Sequence, residues 1–257
     1  MSRIAEAFAK NKALITFVTA GDPNLDKTKE LLIAMEKSGA DLIEIGIPFS
    51  DPVAEGEVIQ GANIRALKAG TTTDLIFDMV VEARKIVKVP MVFMTYMNPI
   101  YTYGTERFMK KCSECGIDGV IIPDVPYEEK DEVKDVCEKY GIDHISMIAP
   151  TSKERIEMIA KEAKGFLYCV SSLGVTGMRS NITTNLDEMI ATAKKASCVP
   201  CAIGFGISNP EQAKKMADIS DGAIVGSAIV RLVGEHPDTC VEEVSKFVKA
   251  MKDEMLK

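Results

Sequence analysis

Short apolar runs recur along the chain at Ala13 to Thr19, Asp41 to Ile47, Pro90 to Thr95, Gly119 to Pro123, His144 to Ala149, Gly165 to Ser171, Pro200 to Gly204 and Gly222 to Val225. They are rich in Ile, Val and Met without strict polar alternation, the pattern of parallel strands buried on both faces. Between them, apolar residues recur at helical spacing over Lys27 to Ser38, Asp74 to Val87, Thr105 to Cys115, Glu128 to Tyr140, Lys153 to Lys164, Asn185 to Ala196 and Pro210 to Ala217. Ser2 heads an extra N-terminal helix through Lys10, and Pro237 to Leu256 forms a closing helix. Strand and helix alternate eight times, and right-handed crossovers close such units into a barrel. The prediction is an α/β fold, a (β/α)8 TIM barrel with an extra N-terminal helix, as one domain over residues 1–257. A doubly wound open sheet is the alternative. It is disfavoured because no G-x-G-x-x-G follows the first strand, where Thr19-Ala-Gly-Asp-Pro carries only a turn signal.

Composition narrows the partners. A chain of 28.0 kDa with 46% hydrophobic residues can bury one large core. A net charge of −7 and a pI near 5.1, with no basic stripe, argue against nucleic acid or an anionic membrane as partner. No run approaches the roughly 20 apolar residues of a membrane span, and Met1-Ser-Arg-Ile-Ala-Glu lacks a signal-peptide layout, so the expectation is a cytoplasmic protein. Seven scattered cysteines fit a reducing compartment. The pairs Cys112/Cys115 and Cys198/Cys201 stand too far apart for a zinc ribbon, and neither His144 nor His236 sits as a ligand or base, so no metal is expected.

In a barrel of this kind the chemistry lies where the strands end. Those exits are rich in Gly, Pro and acid, whereas His144 and the Cys198 pair enter strands and face the other end. Glu44 is the most informative residue. It interrupts an apolar run, and strand alternation puts it on one face with Leu42 and Gly46 while Ile43 and Ile45 share the other. A buried carboxylate is costly unless paired or protonated, so Glu44 is a candidate acid/base, the alternative being a core Glu with one hydrogen-bonding partner. Glu55 follows in a Gly/Pro loop, where an acid taken by itself is usually just solvated. After the last two strands, Gly204-Phe-Gly206-Ile-Ser208 and Gly226-Ser227 offer free backbone N–H groups where barrels often hold phosphate. Gly174-Val-Thr-Gly177-Met-Arg-Ser-Asn adds a loop suited to a lid, the alternative being a mobile surface loop.

Together, Gly46-Ile-Pro-Phe-Ser-Asp-Pro, Met94-Thr-Tyr-Met-Asn-Pro, Ile122-Pro-Asp-Val-Pro, Gly174-Val-Thr-Gly, Gly204-Phe-Gly-Ile-Ser-Asn-Pro-Glu-Gln-Ala and Val225-Gly-Ser-Ala-Ile-Val resemble the tryptophan synthase α subunit family over essentially the whole chain. The resemblance implies a lyase of tryptophan biosynthesis that splits indole-3-glycerol phosphate into indole and glyceraldehyde 3-phosphate. It implies Glu44 as general acid/base, Glu55 at the indole N–H, and Tyr168 packed on the ring near the acid, Tyr168 being equally explicable as an ordinary core aromatic. Phe17, Met94, Tyr96 and Ile121 would line the indole pocket, Met94 and Ile121 being equally explicable as barrel filling. Gly177, Gly206, Gly226 and Ser227 would hold the phosphate, with Phe205 contributing backbone and Thr176 fastening the lid. Asp124 would hold Thr176 or the acidic loop, or else cap the next helix.

The family implies no cofactor on this chain, a pyridoxal-phosphate β partner in an α2β2 assembly, and docking through Asp51 to Glu57 and Asn98 to Tyr103. Two departures stand out. Pro52-Val-Ala-Glu-Gly-Glu replaces the usual Pro-x-Ala-Asp-Gly-Pro, and Ser172 stands where relatives often carry Arg. The longer acid leaves open a second reading, an allosteric binding subunit of weak intrinsic activity that mainly activates its β partner. A third reading is another phosphosugar isomerase or aldolase, with Schiff-base chemistry disfavoured because no Lys lies within a strand core.

Overall fold

The computed structural model describes residues 2–171, 186–204 and 206–257. Its elements run α1 (Arg3–Ala7), β1 (Ala13–Thr19), α2 (Leu25–Lys37), β2 (Leu42–Gly46), α3 (Glu57–Lys68), α4 (Thr73–Arg84), β3 (Met91–Met94), α5 (Met97–Tyr103), α6 (Thr105–Cys115), β4 (Gly119–Ile121), α7 (Asp131–Tyr140), β5 (Asp143–His144), β6 (Met147–Ile148), α8 (Lys153–Glu162), β7 (Leu167–Val170), α9 (Leu186–Ala196), β8 (Cys201–Gly204), α10 (Pro210–Ile219), β9 (Gly222–Val225), α11 (Ser227–Glu235) and α12 (Cys240–Met255). The strands pair in parallel in the order β5-β4-β3-β2-β1-β9-β8-β7-β6.

The two ends of that order belong to one predicted strand, His144 to Ala149. Its first half pairs with β4 and its second with β7. At the join, Ile145 N–H donates to Val120 O at 2.9 Å and Ser146 O accepts from Tyr168 N–H at 3.0 Å. The strand thus hands its hydrogen bonds from one neighbour to the other, which splits it in two and closes the barrel there.

Several helical expectations change. α3 stands where no helix is predicted. Its buried Ile59, Ala62, Asn63 and Ala66 follow helical spacing, but Asn63 breaks the apolar count. α5 turns the expected docking loop Asn98 to Tyr103 into a helix, whose Met97 N–H donates to both Asp124 carboxylate oxygens at 3.0 and 3.2 Å. Asp124 therefore caps α5, which precedes it, rather than the next helix in the chain, and Thr176, its other expected partner, lies outside the described residues. The predicted helix Glu128 to Tyr140 divides into a 3-10 turn (Tyr127–Glu129) and α7. α1 ends at Ala7, short of Lys10, with Ser2 Oγ accepting from Ala5 N–H. Among the described residues no helix is long and apolar enough to cross a membrane.

The core has two layers. Ile43, Ile45 and other outward residues pack beneath the helices, while Ile4, Ile15, Leu42, Val92, Ile121, Ile145, Phe166, Ala202 and Ile224 fill the barrel. Ile4 of α1 plugs the end where the strands begin. Its Cδ1 lies 3.2 Å from where a Cβ on Gly119 or Gly165 would stand, so those glycines leave room for the plug. Two residues further along β1, β2, β3 and β7 come Phe17, Glu44, Met94 and Tyr168, all inward. There the filling changes from wholly apolar to one that includes a carboxyl and a phenol.

Candidate active site

Glu44 points into the barrel as its alternation requires. Its side chain is buried, at 1% exposure, and Oε1 has no hydrogen-bond partner. Burial pushes its pKa up to about 8, so the carboxyl is largely protonated at neutral pH. Oε1 lacks the partner that a satisfied core glutamate would give it.

The space beside it is shaped by two strand glycines. A Cβ on Gly46 would stand 2.6 Å from the Phe17 ring, and one on Gly204 would stand 2.5 Å from the Tyr168 hydroxyl. The room that Gly46 leaves is therefore occupied by Phe17, and Gly204 lets Tyr168 lie across the barrel. Phe17, Glu44, Ile59, Met94, Tyr168, Gly206, Ile207, Ile224, Gly226 and Ser227 line one pocket. Burial, and then the neighbouring Glu44 carboxyl, raise the Tyr168 pKa, so its phenol stays protonated beside the acid.

One side of this pocket is suited to an anion. α11 begins at Ser227 after Gly226, and no side chain caps it. Its first N–H groups have no intrahelical acceptor, and the helix dipole adds partial positive charge there. α10 differs, because Asn209 Oδ1 accepts from Gln212 N–H and closes that helix start. Gly206, with φ +81°, turns the chain between β8 and α10 in a conformation that glycine adopts readily.

Glu55 and Tyr96 do not line the Glu44 pocket. They meet each other just before α3 and just after β3, the elements whose Ile59 and Met94 line that pocket. Glu55 is buried at 8% exposure, its Oε2 accepts from Asn63 Nδ2 at 2.6 Å, and the Tyr96 hydroxyl is near enough to favour its charged form. Ala54 N–H in turn donates to Tyr96 Oη at 3.2 Å. Burial raises the Glu55 pKa while Asn63 and Tyr96 oppose the rise; Tyr96 is itself raised, first by burial and then by the Glu55 charge.

Of the residues expected from sequence, the structure brings Phe17, Glu44, Met94, Tyr168, Gly206, Gly226 and Ser227 together. Ile121 belongs to the barrel filling. Thr176, Gly177, Phe205, Ser172 and the lid sequence lie outside the described residues. Ile59, Ile207, Ile224 and Asn63 were not anticipated, although helical spacing from Ile59 to Ala66 carried the signal for α3. His144, at the start of its strand, faces a separate cleft in the helix layer with Ser146, Tyr127 and Lys130.

Comparison with known proteins agrees with this geometry. The family model described as "Tryptophan synthase alpha chain" matches residues 4–256. A curated tryptophan synthase alpha chain from Lacticaseibacillus casei is 48% identical over 252 residues, covering 98% of this chain and 95% of the relative. The crystal structure of tryptophan synthase subunit alpha from Legionella pneumophila superposes with a TM-score of 0.91 at 37% identity, over 99% of this chain and 98% of the other. A chain of the tryptophan synthase complex from Pyrococcus furiosus superposes with a TM-score of 0.87 at 35% identity, over 94% and 98%.

Proposed function

The chain belongs to the tryptophan synthase alpha chain family, and on that premise we propose how its own side chains carry the family's reaction. That reaction is the cleavage of indole-3-glycerol phosphate to indole and glyceraldehyde 3-phosphate, and this chain is the lyase subunit. The C–C bond between the indole ring and the glyceryl chain breaks in a retro-aldol sense. The ring carbon must gain a proton, the hydroxyl on the departing carbon must lose one, and positive charge near the indole nitrogen must be stabilised.

Glu44, protonated at neutral pH, delivers the proton to the ring carbon. The carboxylate so formed accepts the hydroxyl proton as the C–C bond breaks and the aldehyde forms, which restores the acid. Tyr168 and Phe17 hold the ring beside it. Glu55 takes the indole N–H hydrogen bond and so stabilises the charge that develops at nitrogen. The phosphate lies against the N–H groups at the start of α11, with Gly206, Gly226 and Ser227 around it; the family pattern assigns Gly177 and the Phe205 backbone to the same group and Thr176 to fastening the lid. The single observation that carries this reading is the buried Glu44 carboxyl with its Oε1 unpartnered, set in the same pocket as the uncapped start of α11.

No cofactor is needed on this chain for these steps. Pyridoxal phosphate is assigned to a β partner, with which the chain forms an α2β2 assembly. One P. furiosus relative is described in such an a2b2 complex, with mutual activation. Docking uses the Asp51 to Glu57 loop, where Val53 is 71% exposed, and α5, where Tyr101 is 75% exposed. The assembly works in the cytoplasm. The direct test is indole release from indole-3-glycerol phosphate, with and without β subunit, followed by indole emission because the chain has no tryptophan. Release by the chain alone, raised by the partner, supports the enzyme reading; binding without release in either condition supports the activator reading.

The grip of Asn63 on Glu55 also sets the sign of a shorter acid. Aspartate retracts the carboxylate by about one C–C bond, away from a donor now at 2.6 Å, and about 1 Å of misplacement can cost on the order of a hundredfold in rate. Glu55→Asp is therefore expected to lower kcat for indole release by about tenfold or more. A gain in kcat would show that the backbone is not adapted to the longer side chain.

A further inference from the structure

Asn63 is an unusual residue for its place. It sits in the second turn of α3 among Ile59, Ala62 and Ala66, is 4% exposed, and belongs to a residue type of poor helix propensity. Burying an amide is costly unless it is hydrogen-bonded. Its Nδ2 is bonded to a carboxylate, at 2.6 Å from Glu55 Oε2. One turn earlier, Gln60 Nε2 donates to the Glu55 backbone carbonyl at 2.8 Å, so α3 holds this residue by both backbone and side chain. The helix itself is anchored, because Arg65 donates to both carboxylate oxygens of the buried Asp22 at 2.8 and 2.7 Å.

We infer that Asn63 is a positioning residue for indole-3-glycerol phosphate cleavage: its amide, with the Tyr96 hydroxyl, fixes the Glu55 carboxylate just before α3 and sets where it meets the indole N–H. The inference rests on the proposed role of Glu55. It explains how this chain uses glutamate where the family pattern has aspartate. The extra methylene carries the carboxylate to a donor on α3, and that donor limits its freedom. Among the described residues, α3 offers Glu55 the neutral amides of Gln60, on its backbone carbonyl, and Asn63, on its carboxylate, Arg65 being paired with Asp22 of the β1 exit, while Tyr96 comes from the β3 exit with Asp124 of the β4 exit acting on it in turn. Asn63 and Tyr96 both favour the ionised carboxylate against its burial.

The test compares full-length wild type, E55Q, N63A, N63D and E55Q/N63A, each with β subunit present, for indole release from acidic to mildly alkaline pH. N63A is expected to lower kcat/KM by about 10- to 100-fold, the loss of one hydrogen bond to a charged group. Inhibition by inorganic phosphate stays unchanged. Because the lost donor favours the ionised carboxylate, the acid limb of the pH profile moves to higher pH, and N63D moves it further by setting a second carboxyl beside the first. In the E55Q background, N63A adds less than about twofold, since the two residues act as one unit. An unmoved acid limb, or a full additional loss in E55Q/N63A, overturns the inference. E55Q cleaving at the wild-type rate overturns instead the role of Glu55 on which it rests. If N63A does not fold, the nearly isosteric N63D carries the same pH readout.

Discussion

Replacing Glu44 by glutamine is expected to abolish indole release while leaving inhibition by inorganic phosphate nearly unchanged. Glutamine keeps the shape of the side chain but can neither give a proton to the ring carbon nor take one from the hydroxyl, and general acid/base groups contribute about 10²- to 10⁴-fold. The phosphate end, at the start of α11, rests on other residues. The same substitution has a second signature, in stability. Burial raises the folded-state pKa of Glu44 to about 8 from its ordinary value of 4.5. Between those values the folded chain binds a proton that the unfolded chain has released, so the native state loses stability as pH rises through this window. Glutamine removes that slope. The melting temperature of E44Q should exceed that of wild type by a margin that is smallest in acid and grows towards alkaline pH. Cleavage retained by E44Q, or a margin that does not grow with pH, would remove Glu44 from the assigned role.

The barrel was legible because its cause is repetitive. Eight apolar runs alternating with amphipathic segments leave few arrangements that bury every strand on both faces. The direction of Glu44 was legible for the same reason, since alternation along β2 has only two outcomes and Ile43 and Ile45 occupy the outer one. The split strand at Asp143 to Ile148 was not legible, because it depends on which neighbour each residue bonds rather than on the residues' own preferences. α3 was missed because Asn63 sits in its apolar stripe, and the residue that hid the helix is the one that grips Glu55. The direction of Glu55 follows from that hydrogen bond, which spans eight residues and leaves no periodic trace. Its motif could suggest a role; only α3 supplies the direction.

A methyl group added at Gly46 is expected to damage both stability and activity. The new Cβ would stand 2.6 and 2.9 Å from two carbons of the Phe17 ring, closer than van der Waals contact permits. The ring cannot retreat outward, because β1 and β2 pair in register there, with Phe17 opposite Glu44 and Thr19 opposite Gly46. It must move into the pocket that it lines with Glu44 and Tyr168. Overpacking of this kind costs about 1–3 kcal/mol, which a melting curve would detect. The displaced ring also takes space assigned to the indole, and about 1 Å of misplacement can cost on the order of a hundredfold in rate. Gly46→Ala should therefore lower kcat/KM for indole-3-glycerol phosphate by at least about tenfold, with inhibition by inorganic phosphate less affected. Phe17→Leu supplies the control. Leucine withdraws the ring carbons that the methyl group meets, so the double variant should be more stable than the sum of the single losses predicts. Strict additivity in the melting temperatures would show that Phe17 is not what Gly46 makes room for, and the packing argument for the pocket wall would fail with it.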